Sequence, residues 1–387
     1  MIGWELPPYN SGGLGVACLG LAKALSDKGV DITFVLPKKT DVNYDFMDIV
    51  FADIKEVEKL KSTYTTNEKY VKRIWVDEPA APDFVTAAIA YGNKMAHLAK
   101  KLKADIVHSH DWLTSPAAFS AKSVLGKPHI AHVHSTEFDR TGGNFPNKYV
   151  YDLERHGLEN SDRIISVSDF TKNIIVQKYN IRSRKIDVVH NGVDEFRKSD
   201  LPPVLSELKK LGYKLVVYVG RITLQKGPDY FVYAAKRVLD YYPKTMFVVI
   251  GDGDMQTFMM NEAARLGIMN NFLFTGFLRG EEKDRVWQSA DLYLMPSVSE
   301  PFGLTALESI ANGTPVLISK QSGVSEVLNH ALKADFWDID EMANKVIAVL
   351  KHKSLKKDLT RESMKELPII SWDNAAYKCL NIYNSLI

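Results

Sequence analysis

The sequence predicts an α/β protein of two doubly wound halves, each a parallel sheet with helices on its faces. Three observations predict it. The chain opens with a strand end, a glycine-rich turn, a helix over residues 16–28 closed by Gly29, and a strand over 31–36. That is a βαβ unit with an open first turn. The same alternation restarts at the buried strand 214–220, followed by a loop and a helix over 229–240. The 387 residues, 45% hydrophobic and 25% charged, suffice for two cores of ordinary globular composition. A boundary at the proline-containing stretch 200–203 gives domains 1–200 and 201–370.

In the first half, Gly12, Gly13 and Gly15 let backbone N–H groups approach a ligand closely. Their spacing departs from G-x-G-x-x-G, which argues against a nicotinamide cofactor, and no other cofactor is expected. Residues 40–80 are polar, with weak alternation over 70–76, and read as an insertion carrying a hairpin or strand pair. A helix over 82–103 leads to a strand at 105–108, with His108, Ser109, His110, Asp111 and Trp112 in the turn after it. A helix over 116–125 and a strand over 127–134 follow. Side chains capable of chemistry thus gather at strand C-terminal ends, where open α/β sheets bind ligands. A helix over 147–160, a strand from 163, a helix capped by Ser168, and a last strand near 187 complete this half.

The histidines invite a metal reading. Alternation puts His132 and His134 on one strand face, near His108 and His110. Ligands in mobile turns, with no Glu-flanked helical pair, argue against zinc. Satisfied structural histidines are the plainer reading for His108, His110 and His132, and no metal is expected.

In the second half, Arg221 and Lys226 are two cations in one strand-to-helix loop, a pattern that solvated surface cations also produce. Strands at 245–251 and 271–277 and a helix over 278–289 lead to a strand at 292–295. The loop after it carries Ser297, Glu300, Pro301 and Gly303 and opens a short helix that ends near Gly313. Free amides at Gly303, Leu304 and Thr305, helped by the helix dipole, make an anion site. Glu308 lies one turn into the helix and leans back toward its N-terminus. A carboxylate there repels phosphate but accepts hydrogen bonds from vicinal hydroxyls, as on a ribose, and Glu300 suits sugar hydroxyls in the same way. Two solvated glutamates are the plain alternative. Helices over 338–351, 354–367 and 371–386 close the chain.

Bulk properties exclude several classes. A net charge of +2 leaves no nucleic-acid footprint. Cys18 and Cys379 form no metal or redox motif and suit a reducing cytoplasm. No apolar run reaches the roughly 18 residues of a membrane span.

The stretch 300–308, with Glu300 and Glu308 at its ends, resembles the E-x7-E signature of retaining glycosyltransferases of the GT-B fold. The likeness extends over nearly the whole chain and is nearest to glycogen and starch synthases and the related sucrose-synthase-like enzymes (families 4 and 5). Gly12-Gly13-Leu14 resembles the synthase loop that meets the donor diphosphate and transferred sugar, with Asn10-Ser11 where bacterial synthases often have a lysine. His134 resembles the histidine at the transferred glucose, and Asp111 the residue near the sugar hydroxyls. Asp139 and Arg140, in a loop with Gly142 and Gly143, fall on the acceptor side. Gly220-Arg221 with Lys226-Gly227 resembles the cation motif for the leaving diphosphate. The strand ending near residue 277 resembles one whose loop packs on the nucleotide base.

The resemblance implies two Rossmann-like domains with a cleft between them, and a terminal helix, 371–387, that crosses back to the first domain. It implies a nucleotide sugar (UDP-glucose or ADP-glucose) as donor, an α-glucan as acceptor, and metal-free transfer with retention. Family members carry several apolar residues before the Gly3-Trp4-Glu5 equivalent. With only Met1 and Ile2 there, the chain starts late or pairs a very short central strand. Asp252-Gly253-Asp254 hints at a metal-dependent single-domain transferase, but a tight turn explains it. The alternatives are a mannosyl or sucrose-type transferase, a sugar-nucleotide epimerase, a phosphorylase and a non-catalytic sugar-binding regulator.

Overall fold

The computed structural model describes residues 1–10, 12–55, 83–193 and 202–387. They form two compact units, one of Met1–Gly192 with Ser371–Ile387 and one of Val193–Ile370. The strand pair expected over 70–76 and the linker residues Asp200 and Leu201 lie outside the described residues. Among the described residues, no helix is long and apolar enough to cross a membrane.

The first unit carries strands β1 (Thr33–Leu36), β2 (Asp48–Phe51), β3 (Val107–His110), β4 (His129–Val133), β5 (Arg163–Ser166) and β6 (Ile186–Val188). All named pairs are parallel, β1 with β2 and β3 through β6 in sequence order. The chain start joins the two ladders. Ile2 bridges Val35 on one side and Ser109 on the other, with Ile2 N donating to the His108 carbonyl at 2.8 Å and His110 N to the Ile2 carbonyl at 3.1 Å. A minimal first strand therefore sits at the centre of the sheet. Chain direction across the sheet reverses there, which puts a topological switch point between Ile2 and β3.

The unit's first helices are α1 (Gly13–Ser26), α2 (Asp83–Leu98), α3 (Ser115–Leu125), α4 (Glu137–Arg140), α5 (Lys148–Asn160) and α6 (Asp169–Tyr179). Ser168 caps α6 by accepting from Thr171 N, as expected, and Asn147 caps α5. Three expectations need correction. α1 begins at Gly13, not residue 16, so Gly13 and Gly15 lie in its first turn and Gly12 is its N-cap. Asp48–Phe51 is a parallel edge strand rather than part of an insertion hairpin; its half-exposed side gives it no continuous apolar run. His108 and His110 lie inside β3, and the turn begins only at Asp111, whose φ is +61°.

The second unit is a six-stranded parallel sheet ordered β12-β11-β10-β7-β8-β9. Its strands are β7 (Lys214–Val219), β8 (Thr245–Ile250), β9 (Phe272–Gly276), β10 (Leu292–Met295), β11 (Val316–Ser319) and β12 (Leu332–Ala334). Helices α7 (Pro203–Lys210), α8 (Pro228–Tyr241), α9 (Gln256–Arg265), α10 (Gly280–Ser289), α11 (Leu304–Ala311), α12 (Ile339–Lys351) and α13 (Lys353–Glu366) accompany it. Val216, Phe247, Leu292, Leu294 and Leu317 from the strands meet Phe231 and Val346 in one core. The central strands read as apolar runs because both faces are covered. The switch point lies between β7 and β10, which pair directly.

The last helix, α14 (Trp372–Asn384), is capped by Ser371 and belongs to the first unit. It packs on α1, where a Cβ on Gly20 would fall 2.3 Å from the Trp372 ring. Tyr383 reaches the sheet, its hydroxyl 2.5 Å from His108 Nδ1.

Candidate active site

In the second unit, two loops leave the switch point together. One follows β7 through Gly220, Arg221 and Lys226, and the other follows β10 through Ser297 and Glu300 into α11. They are stitched by Gln225, whose side chain donates to the Ser299 carbonyl at 3.1 Å and whose carbonyl accepts from Val298 N at 2.9 Å. Lys226 Nζ lies 2.5 Å from Glu300 Oε2, which also accepts from the Ser297 hydroxyl at 3.2 Å. Glu300 is buried, and its backbone is clamped by Gln321 and Gly323. It is therefore a fixed, paired group rather than a solvated one. Gly303 is the N-cap of α11 and no side chain caps the helix, so the amides of Gly303, Leu304 and Thr305 remain an anion-binding turn. Thr305 is turned aside, its hydroxyl 2.8 Å from that of Tyr293.

Glu308 is held by Lys283 of α10, Nζ to Oε2 2.8 Å, with both side chains largely buried. Sequence reasoning missed Lys283. The segment read as a helix with no task, and only the tertiary pairing singles it out. Asp252 and Asp254 sit in a turn closed on Ile222, with Ile222 N donating to the Asp252 carbonyl at 3.0 Å and Met255 N to the Ile222 carbonyl at 2.9 Å. The turn thus braces the Arg221 loop.

In the first unit, α1 opens at Gly13 with Gly12 as an extended N-cap and no capping side chain. Asn10 donates to the Gly12 carbonyl at 2.8 Å. Gly15 serves packing rather than ligand approach, since a Cβ there would fall 2.7 Å from Asn10 Cβ and 3.2 Å from the Glu5 carbonyl. Asp111, at the end of β3, accepts from His134 N at 2.6 Å and Ser135 N at 3.2 Å. It thereby ties down the turn that carries His134. Burial pushes its carboxyl up to about 6, against the pull of Arg140 and those amides.

Arg140, expected in an acceptor-side loop, is instead largely buried in α4. It donates to Glu137 at 3.0 Å, Glu154 at 3.2 Å and the Ser135 hydroxyl at 2.9 Å. The hub couples α5 to the His134 turn. Asp139 is buried as the capping-box partner of Thr136.

Glu154 also accepts from the Tyr179 hydroxyl and Glu137 N. Burial raises its carboxyl to about 7, although Arg140 and those donors favour the anion. The folded protein then keeps a proton that the unfolded chain releases above about pH 4.5. This stabilisation is complete below that value and lost as pH rises through about 7, with Asp111 adding the same sign. Melting temperature is expected to fall between about pH 4.5 and 7 and to level off above that, and Glu154→Gln to flatten the slope. Equal slopes in both proteins would contradict the assignment.

His108, His110, His132 and His134 stack across β3 and β4 with centroid spacings of 4.3 to 5.4 Å. Burial and mutual repulsion hold the first three well below the usual imidazole range, and burial lowers His134 to about 3. All four are neutral near pH 7. Each unit thus gathers its sequence-predicted residues at its own switch point: Gly12, Gly13, Asp111 and His134 in the first, Arg221, Lys226, Glu300 and the α11 turn in the second. Glu308 stands one turn further along, with Lys283.

Residues 11–197 match the glycosyltransferase family 4 model and residues 206–366 the model for glycosyl transferases group 1. An uncharacterized glycosyltransferase of Methanocaldococcus jannaschii is 29% identical over 99% of this chain and 97% of its own length. The glycogen synthase of Mycobacterium tuberculosis is 27% identical over 85% of this chain and 79% of its own. The D-inositol 3-phosphate glycosyltransferase of Segniliparus rotundus is 29% identical over 73% and 66%. Among solved structures, sucrose-phosphate synthase from Thermosynechococcus elongatus superposes with a TM-score of 0.77 at 17% identity, covering 100% of this chain and 98% of that one. Anabaena HepE, in complex with UDP and glucose, gives 0.73 at 16% identity, covering 100% and 99%. Two parallel doubly wound sheets, cations and an open helix turn at one switch point, and family matches along both halves agree: the chain belongs to the group 1 glycosyltransferases and has their GT-B fold of two Rossmann-like domains.

Proposed function

We propose that this transferase is of the glycogen-synthase type, moving glucose from UDP- or ADP-glucose to the non-reducing end of an α-1,4-glucan. The observation that carries the reading is the stitched pair of loops at the second unit's switch point, where hydrogen bonds join the Lys226 loop to the Glu300 loop that opens α11. The diphosphate binds Arg221, Lys226 and the amides of Gly303, Leu304 and Thr305. Ribose hydroxyls donate to Glu308, which Lys283 orients, and hydroxyls of the sugar donate to Glu300. Of the first unit's residues, Gly12 and Gly13 are assigned to donor binding and His134 to the transferred glucose. Asp111 fixes the His134 turn near the sugar hydroxyls, and the acceptor is the first unit's ligand.

As the bond from C1 to the phosphate oxygen breaks, negative charge grows on the diphosphate. Fixed cations and amides stabilise that charge without reorganising. The acceptor hydroxyl attacks C1 from the same face and passes its proton to the departing phosphate oxygen, so configuration is retained. The glucan-type relative and the first-half set, Gly12, Gly13, Asp111 and His134, support glucose and glucan. A second reading, transfer to a small phosphorylated acceptor, is supported by the inositol-phosphate relative.

The test uses labelled UDP-glucose and ADP-glucose with maltotetraose in EDTA. A ladder digested by α-amylase is expected. A single unextended product, another donor sugar, or activity only after magnesium is restored would each overturn this reading. Glu308→Gln is expected mainly to raise KM for the donor, because ribose is held alike in ground and transition states. Glu300→Gln is expected mainly to lower kcat, being nearer the reacting sugar. Kinetics with the reverse split would reject this division of roles.

A further inference from the structure

The histidine stack leaves polar atoms unspent. His110 Nδ1 faces His134 Nε2 at 3.0 Å, while His110 Nε2 and His134 Nδ1 are buried with no partner among the described residues. Among the described residues no carboxylate or carbonyl holds a proton of either ring, and with the ring protons on those two unpartnered atoms the facing nitrogens each present a lone pair. The thiol of Cys18, on α1, is fully buried. One ligand atom from each of Cys18, His110 and His134 lies within 4.8 Å of the other two. Thiolate and neutral imidazole are the donors that zinc and its neighbours select.

We propose that Cys18, His110 and His134 bind one soft divalent transition-metal ion, zinc by preference, and that this ion switches the transferase off by occupying His134. In a tetrahedral site with metal–nitrogen bonds of about 2.0–2.1 Å, two nitrogens stand about 3.3 Å apart. The observed 3.0 Å between the facing nitrogens is close to that edge. The sulfur needs to close on the pair by up to about 1 Å, since its ideal edge to nitrogen is about 3.6 Å. Binding replaces the thiol proton, so one proton leaves for each ion taken up. A neighbouring group of His108, His110 and His132 shares one ring, but His108 already uses both nitrogens, on Tyr383 at 2.5 Å and His132 at 3.2 Å. The cysteine-containing group is therefore the site. Loss of activity rests on the role given to His134 above, whereas binding of the ion does not.

Cobalt(II) is titrated into the full chain, purified with chelator, and followed by its tetrahedral d–d bands and thiolate charge-transfer absorption. One equivalent is expected to bind and zinc to displace it. Cys18→Ser should lose the charge-transfer band and weaken binding at least tenfold, yet keep wild-type transfer in EDTA. His110→Gln should weaken binding without removing the thiolate, which guards against a folding artefact in the first variant. Equimolar zinc should reduce wild-type transfer at least tenfold, EDTA should restore it, and Cys18→Ser should resist. No tetrahedral spectrum in the wild type, or the same spectrum in Cys18→Ser, overturns the site. An ion bound through Cys18 while transfer continues overturns the inhibition and the role of His134, and leaves the site standing.

Discussion

Lys226→Ala is expected to lower kcat by about two to three orders of magnitude, the usual cost of removing one preorganised charge donor. Lys226 has two tasks in the proposed mechanism. It faces the leaving diphosphate, and it neutralises Glu300, whose side chain is only 7% exposed. Truncation removes a cation where charge develops and leaves a buried carboxylate with Ser297, among the described residues, as its remaining side-chain donor. Arg221→Ala should fall in the same range, because it extends from the same loop. The double variant Lys226→Ala/Glu300→Gln should be no worse than the product of the singles, since the pair acts as a unit. Steady-state kinetics alongside circular dichroism decide it. A folded Lys226→Ala enzyme with more than about a tenth of wild-type kcat would falsify the assignment.

The legible parts of this protein are those whose signal is local. Leu292–Met295 reads as a buried strand because four consecutive apolar residues face helices on both sides of a parallel sheet. Ser168 reads as a cap because its hydroxyl and the amide of Thr171 are three residues apart. The loop through Glu300 and Gly303 reads as a site because strand, loop and helix N-terminus are contiguous. The illegible parts depend on distant partners. Ile2 is a central strand only through residues 35 and 109, and no pattern in two apolar residues announces that. β2 and β12 are short and partly exposed, so they lack a run. Arg140 looked like a loop cation until Glu137 and Glu154 closed around it. Lys283 acquires meaning only from Glu308, 25 residues away. Charges that pair across elements carry no spacing rule, and so this network escaped a reading that found the loops themselves.

Gly227→Ala is expected to damage both stability and catalysis, out of proportion to one methyl group. Gly227 ends the turn that bears Lys226 and has φ +62°, where an L-residue pays about 1–2 kcal/mol. Its added Cβ would fall 2.1 Å from the Pro296 carbonyl oxygen and 3.1 Å from the Pro296 carbonyl carbon. A backbone oxygen cannot rotate away as a side chain can, so one loop must move by about 1 Å to restore van der Waals contact. The loops that separate are the ones bearing Lys226 and Glu300, and displacement on that scale at a reacting centre costs about a hundredfold in rate. Gly212→Ala is the control. Its φ is +85°, but its Cβ would meet only the flexible Lys244 Nζ, at 3.9 Å. That variant should lose a few degrees of melting temperature and keep its kcat. Gly227→Ala should lose more stability and most of its turnover, with circular dichroism still native. Equal melting temperatures and rates for the two variants would show that the loops yield without cost, and the stitched body at the switch point would then not be what positions Lys226.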